Sequence, residues 1–584
     1  MKQVYYTVER SQQIILSLLK AYGIRKVVAS PGTTNITLVA SMQYDPWFEM
    51  YSSADERSAA YMACGLAAES GEAVVITCTG ATASRNYLPG LTEAFYRKLP
   101  ILAITANQGV YKVGHLIPQN IDRTVIANDV AVLSVNIPVT RNEEDEWNCQ
   151  IQVNKAINAL FVHGGGPVHI NMATDYGWEY SVKELPACRR IHHIMPYDEF
   201  PKVPDGKIAI FIGSHKKFTT EETLLIDSFC SAYNAVVFCD HTSGYYGQYK
   251  FLFALVGGLK NYSQDINNID LLIHIGEVSG DYYGTKLKAK QVWRISEDGQ
   301  LRDTFKGLSY LFEMREVDFF SHYDREGKKN NSFIKLCRSE YKKVLNLIPE
   351  LPFSNIWIAK AIASQLPPNS TLHLGILNTL RAWNLFEVSN TIDTYCNVGG
   401  FGIDGILSTL VGASLYNPQR IYFGILGDLA FFYDMNSLGN RHVGKNLRIM
   451  LINNGKGTEF RHYTHLASAF SDDADKYIAA GGHYGNKSPL LVKHYAEDLG
   501  FFYLSASNKE EFLEHSKVFL TTDSLDKSVV FEVFTNSTDE SNALDIILNF
   551  MSEPVPFSMK EQVKKIAKNV LGERLIEKVR NIRK

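Results

Sequence analysis

The sequence predicts an α/β protein made of three successive doubly wound, parallel-sheet domains. Three observations carry this reading. Short β-branched apolar runs alternate with longer segments of helical period from end to end. Each run is continuously apolar over about 4–8 residues, as a parallel strand covered on both faces must be. And 584 residues exceed what one hydrophobic core usually serves.

Taken in order, strands are expected at KVVAS (26–30), AVVITCT (73–79), PILAITA (100–106) and PVHINMA (167–173). They continue at KIAIFIG (207–213), AVVFCD (235–240) and LLIHIGE (271–277), and then at TLHLGI (371–376), IYFGILGD (421–428), RIMLINN (448–454) and VVFEVFT (529–535). Polar, strand-poor character around 172–190 and again near 324–332 marks two linkers. The expected domains are therefore 1–185, 190–345 and 350–552, followed by a tail at 553–584. The first and third blocks admit reading as distant duplicates of one doubly wound unit, which the sequence alone does not establish.

Composition excludes more than it selects. The chain is 45% hydrophobic and 21% charged, with a net charge of −3, so no general electrostatic attraction to nucleic acid is expected. The N-terminus lacks a basic-then-apolar leader pattern, and no run reaches the roughly 18 apolar residues of a membrane span. No integral membrane segment and a cytoplasmic location are the expectation. The eight cysteines show no CxxC pair or metal-ligand spacing, and read as reduced core thiols.

The best single chemical signal is GDLAFFYDMN (427–436) followed by LINNGKG (451–457). Gly427-Asp428 ends one apolar strand, and Asn454 stands 26 residues on, at the end of the next. A helix between them returns the chain, so both polar groups converge at the carboxyl edge of neighbouring parallel strands, where open α/β sheets bind ligands. One carboxylate, one amide oxygen and one backbone carbonyl make a sparse oxygen site, which Mg²⁺ accepts when phosphate oxygens complete its shell. The plainer alternative is a solvated Asp and an ordinary Asn-Gly turn. The second signal is SADERSAAYMACGLAAESG (53–71), a small-residue helix with Asp55 and Glu56 at its start. Acidic residues favour any helix N-terminus, but here a strand and a Gly/Ala/Ser/Thr-rich loop follow (74–86), and such loops let a ligand approach the backbone closely.

The ordered set SPGTTN (30–35), DERSAA (55–60), CTGATASRNYLP (78–89), NVGGFGIDGILST (397–409), GDLAFFYDMN and LINNGKG resembles the thiamine-diphosphate enzymes of the acetolactate synthase and pyruvate decarboxylase superfamily. Within it the chain is most similar to the SEPHCHC synthases of menaquinone biosynthesis, over roughly residues 5–550. The resemblance implies an aminopyrimidine-binding domain (1–185), a Rossmann-like middle domain (190–345) and a diphosphate-binding domain (350–552), with thiamine diphosphate and Mg²⁺ as cofactors. It implies that Glu56 hydrogen-bonds the aminopyrimidine and promotes its imino tautomer. It makes Asp428, Asn454 and the backbone carbonyl of Lys456 the Mg²⁺ ligands. Ile403 becomes the apolar residue that holds the cofactor bent. Thr82, Asn86, Gly402, Gly427, Leu429 and Ala430 complete the expected cofactor contacts. Gln119 in HLIPQNID stands where relatives place a polar side chain near the reacting centre, and His115 just before it is the first choice among the histidines for acid/base work. The resemblance also implies a homodimer or homotetramer with active sites at the subunit interface.

Departures bear on the substrate. The SEPHCHC synthases are similar to one another in carrying cations at the place of Thr34, near Gln108, around Asp281 and Tyr282, and at the place of Val398; this chain lacks these, and Arg381 is the one apparent survivor among the substrate cations. Isochorismate is therefore not assigned. Thr34, Asn35, Arg381 and His462 are the expected substrate contacts. The expected reaction is decarboxylation of a 2-keto acid, with transfer of the acyl-anion equivalent to a second carbonyl acceptor. A simple decarboxylase, a catalytically silent relative and a nucleotide-binding scaffold remain as alternatives. From Met559 to Lys584 the tail carries six Lys and three Arg against three Glu, with apolar residues at helical spacing. It reads as a basic amphipathic helix, expected to dock on the protein body in preference to a membrane surface or the site.

Overall fold

The computed structural model describes residues 5–552 apart from 261, 263–264, 282, 325–329, 485–486 and 524. Tyr282 and the tail 553–584 therefore lie outside the described residues. The strands, in chain order, are β1 (Lys26–Ala29), β2 (Glu49–Ser52), β3 (Val74–Cys78), β4 (Ile101–Asn107), β5 (Leu133–Ile137) and β6 (Val168–Ala173), followed by β7 (His192–Ile194), β8 (Ile208–Ile212), β9 (Ala235–Cys239), β10 (Lys250–Leu252), β11 (Asn268–Ile275), β12 (Lys288–Ile295) and β13 (Leu308–Phe312). The last are β14 (Thr371–Leu374), β15 (Asp393–Cys396), β16 (Tyr422–Gly427), β17 (Leu447–Asn453), β18 (Phe502–Ala506) and β19 (Val529–Phe534).

These strands form three sheets of parallel strands, as the sequence predicts. All eleven expected strands are present. The chain divides into two compact units, residues 1–204 with 289–319, and residues 205–288 with 320–584. The first unit holds a sheet of order β2-β1-β3-β4-β6-β5 and the run β12-β13-β7. The second holds the run β10-β9-β8-β11 and a sheet of order β15-β14-β16-β17-β19-β18. The two six-stranded sheets have the same order, which agrees with reading the first and third blocks as variants of one unit.

Each central strand serves two cores. Along β3, Val75 packs with Ile14, Leu18, Val27 and Leu102 on one face, while Val74, Ile76 and Cys78 pack with Ala59, Ala63 and Tyr87 on the other. Successive side chains of a strand point to opposite faces, so a sheet covered on both sides demands an unbroken apolar run. The cysteines follow the same logic: all eight are free thiols, six of them buried. Among the described residues no helix is long and apolar enough to cross a membrane.

Candidate active site

In the first unit the chain runs from β1 to β2 on one side and on to β3 on the other. Such a reversal opens a crevice at the carboxyl ends of β1 and β3. The SPGTTN loop follows β1 and the CTGATASRN loop follows β3, and the two loops touch. A Cβ on Gly32 would meet Thr79 Cβ at 2.4 Å, so only glycine permits this approach. Thr34 Oγ1 lies 2.5 Å from Thr79 Oγ1 and donates to the Ala106 carbonyl at 2.9 Å. Asn35 Nδ2 donates to the Ser30 carbonyl at 3.0 Å. Thr34 and Asn35 are buried, 3% and 1% exposed, and these bonds tie the loop together.

Glu56 opens the helix Glu56–Ser70, which is capped by Asp55: its carboxylate accepts from the Ser58 N–H at 3.0 Å. Across the crevice Asn86 Nδ2 donates to Glu56 Oε2 at 3.2 Å, so two expected cofactor residues are brought together. The spacing rests on small residues. The helix Leu88–Arg97 lies so close that a Cβ on Gly90 would meet Ala60 Cβ at 2.4 Å, and Cys64 Sγ donates to the Gly90 carbonyl at 3.3 Å. Thr82 is exposed at the start of the short helix Thr82–Asn86. Gln119 is exposed with φ of 65°; a Cβ on Gly80 would come within 3.2 Å of its carbonyl oxygen, which places its backbone against the β3 loop. His115 is exposed on the same segment.

The second unit repeats the device between β14 and β16. The register pairs Gly427 with Ile452, so Asp428 and Asn454 leave neighbouring strand ends side by side. Asp428 is 4% exposed; its Oδ1 accepts from the Leu429 N–H at 2.7 Å and its Oδ2 from the Gly455 N–H at 2.6 Å. Burial pushes its carboxyl up to about 6, against the pull of the surrounding backbone N–H groups. Asn454 Oδ1 accepts from Thr458 Oγ1 at 2.6 Å, and Lys456 pairs through Nζ with Asp475. Gly427, Asp428, Leu429, Ala430, Asn454 and Lys456 line one cavity of about 120 Å³, and Ile403 forms part of its wall. Gly402 precedes Ile403 in the same loop. Among the described residues no three His, Cys, Asp or Glu side chains gather into a metal centre; the expected site requires one carboxylate beside amide and carbonyl oxygens. A buried carboxylate whose hydrogen bonds come from backbone N–H groups fits that requirement.

A larger cavity of about 630 Å³ shares Asn355, Asn378, Glu459 and Glu540 with the first. Arg381 and His462 line it, together with Lys260 and His465. Arg381 Nη1 pairs with Glu459 Oε1 at 2.5 Å. Asn378 lies between its neighbours: its amide nitrogen donates to His462 Nε2 at 3.0 Å and to Glu459 Oε2 at 2.5 Å, and its oxygen accepts from the Glu459 N–H at 2.9 Å. Burial lowers the His462 imidazole to about 4, so it is neutral at physiological pH.

Residues 10–126, which span the SPGTTN, DERSAA and CTGATASRN elements, match the family model for the thiamine pyrophosphate enzyme N-terminal TPP binding domain. The chain carries the N-terminal domain of a thiamine-diphosphate-dependent enzyme. Its relatives include the 2-succinyl-5-enolpyruvyl-6-hydroxy-3-cyclohexene-1-carboxylate synthase of Bacteroides thetaiotaomicron, 29% identical over 560 residues, covering 91% of this chain and 96% of the relative. The proteins of the same name from Phocaeicola vulgatus and Christiangramia forsetii are 29% and 27% identical, covering 91% and 92% of this chain and 96% and 98% of theirs. The similarity to the SEPHCHC synthases read from the motifs is thus matched over almost the whole chain.

Several residues of these two cavities escape a reading of the sequence. Glu540 lines both cavities, 5% exposed, and both its carboxylate oxygens lie 3.1 Å from the Asn355 N–H. In the sequence it is one of two acids opening the helix Ser537–Asn549, a pattern that any helix start shows. Glu459 and Asn378 follow recognised elements, but nothing in their spacing announces that they bond to each other.

Proposed function

We propose that this chain binds thiamine diphosphate with Mg²⁺, decarboxylates a 2-keto acid, and transfers the resulting acyl-anion equivalent to a second carbonyl acceptor. The observation that carries it is the strand-end cavity around Asp428, Asn454 and Lys456, which opens beside a larger cavity with room for two small substrates. Asp428, Asn454 Oδ1 and the Lys456 carbonyl would hold the metal; Gly427, Leu429 and Ala430 would hold the diphosphate, and Ile403 the bend of the cofactor. Glu56, with Asn86, would hold the aminopyrimidine. When bound, the cofactor supplies the nucleophilic carbon and the electron sink for loss of carbon dioxide.

The chain's own residues do the rest. Glu56 would pass a proton between its carboxyl and the aminopyrimidine. The Asp428 carboxylate would hold the metal, whose charge would offset that of the diphosphate. Arg381, paired with Glu459, brings a guanidinium to the cavity wall, and Lys260 adds a second cation to the same cavity. Leu385, Leu544 and Leu548 on the cavity wall help exclude water. We infer a cytoplasmic homodimer or homotetramer in which Glu56 of one subunit serves the metal site of another.

The relatives' name raises the question of the acceptor. Thr34 is committed to Thr79 and Ala106, and Asp281 accepts from the N–H groups of Tyr283 and Gly284. Neither offers the positive charge found at those places in the SEPHCHC synthases. We therefore infer a substrate pair other than 2-oxoglutarate and isochorismate.

The test incubates the purified protein with thiamine diphosphate, Mg²⁺ and a panel of 2-keto acids, with and without carbonyl acceptors. Carbon dioxide and joined products are read by mass spectrometry. The expected result is carbon dioxide plus a joined product. Carbon dioxide alone would mean a simple decarboxylase, and neither, despite bound cofactor, a silent relative.

A further inference from the structure

Arg123 has no place in the chemistry above, and its surroundings are unusual. It lies in the first unit on the segment that follows Gln119. Its side chain turns inward, so that the residue is 5% exposed. None of Nε, Nη1 and Nη2 has a hydrogen-bond partner among the described residues. With Ser84, Arg85, Tyr87, Thr105 and His169 it lines a cavity of about 20 Å³.

Among the described residues that line this cavity none is an acid. Arg85 is a second cation, and its guanidinium donates to the Asp122 carbonyl at 3.0 Å. Burial pushes the nearby Cys78 thiol up to about 12, so it is not a thiolate. Burial pushes the His169 imidazole down to about 3, and its ring nitrogens meet Thr105 Oγ1 and Ser134 Oγ at 2.8 Å each. The Arg123 guanidinium is itself lowered by burial, to about 10, and stays charged at physiological pH. A buried charge with neither counter-ion nor hydrogen bonds is strongly destabilising. The cavity is large enough for one atom the size of a water oxygen.

We propose that this cavity is an anion site, in which Arg123, with Arg85 beside it, takes a halide ion or one oxygen of a carboxylate. The guanidinium, whose three nitrogens are all unpartnered, provides the donors such a guest needs, while the hydroxyls of Ser84 and Thr105 on the cavity wall are held by the Ala81 carbonyl and the His169 ring. The proposal is independent of the reaction proposed above, because it concerns binding alone.

The test compares melting of the full chain in sodium bromide, sodium formate and sodium hexafluorophosphate at one ionic strength, hexafluorophosphate being too large to enter and carrying no carboxylate oxygen. Bromide and formate should each raise the melting temperature to a plateau, and Arg123→Met should abolish the rise. Equal melting in all three salts, or an undiminished rise in Arg123→Met, would overturn the proposal. Should that variant fail to fold, crystals of the parent soaked in bromide decide: an anomalous peak beside Arg123 is expected, and its absence there refutes the site. Adding pyruvate separates the two sources. Loss of the bromide peak identifies a carboxylate of an organic acid as the guest, whereas its persistence identifies a free inorganic ion.

Discussion

Asp428 and Gly455 meet across the ends of adjacent strands, the glycine N–H donating to Asp428 Oδ2 at 2.6 Å. This bond fixes the carboxylate beside Asn454 and the Lys456 backbone, and it depends on the chain turning at Gly455 with φ of 77°. The carboxylate is the only one proposed for the metal. Asp428→Ala should therefore lower thiamine-diphosphate affinity in the presence of Mg²⁺ by at least about tenfold, or about 1.4 kcal/mol. Cofactor with Mg²⁺ should raise the melting temperature of the parent and not of the variant. Calorimetry giving one affinity for both proteins would remove Asp428 from the site.

Glu56 reaches the crevice from the first turn of its helix and is met there by Asn86. Glu56→Gln keeps an oxygen for that bond but cannot pass a proton. The variant should bind cofactor and melt within about 0.5 kcal/mol of the parent, as surface substitutions do. Exchange of the cofactor's thiazolium proton with deuterium should slow by about 10²-fold or more. Exchange at the parent's rate would show that Glu56 has another task.

What the sequence makes legible follows from burial. β3, β4, β16 and β17 are interior strands, covered on both faces and almost wholly buried, and they read as unbroken apolar runs. The unread strands include all the sheet edges. β2 is EMYS with two exposed residues, β15 is DTYC, and β18 begins at an exposed Phe502. An edge strand pairs on one side only, so its composition is free to be polar. β12 shows the same freedom, its first half being exposed or half-exposed Lys-Ala-Lys-Gln. In the site, Asp428 and Asn454 are legible because each ends a predicted strand. Glu540 and Arg123 are not, because what distinguishes them is missing partners or burial on helices and loops, and those depend on the tertiary fold.

Gly90 and Ala60 set the distance between the helix of Glu56 and the helix Leu88–Arg97. In a helix interior Gly→Ala is ordinarily worth up to about 1 kcal/mol in favour of alanine. Here the new Cβ would lie 2.4 Å from Ala60 Cβ and 3.0 Å from its carbonyl carbon, and the clash outweighs the propensity. Gly90→Ala should destabilise by about 1–3 kcal/mol. Adding Ala60→Gly removes the methyl that is struck and should bring the double variant back close to the parent. If the pair of substitutions is merely additive, the two helices do not touch at these positions.

Glu540 carries the clearest pH signature. Its carboxylate accepts from the Asn355 N–H and from Thr535 Oγ1 at 2.8 Å, yet burial outweighs these bonds and, with the negative charges of Asp539 and Asp428, raises its carboxyl to about 7 from an ordinary 4.5. A carboxyl whose folded value lies above its unfolded one binds more protons in the folded state between the two. Its contribution to stability is therefore full below about pH 4.5 and is lost as the pH rises through about 7. Glu540→Gln keeps an oxygen for the Asn355 N–H and cannot ionise, so it does not suffer that loss. The stability of the variant relative to the parent should grow by about 2–3 kcal/mol between pH 5 and pH 8 and then level off. Denaturant unfolding of both proteins across this range reads the difference directly. A difference that stays flat would mean that Glu540 ionises at its ordinary value, and so that water or a cation reaches it through one of the two cavities it lines.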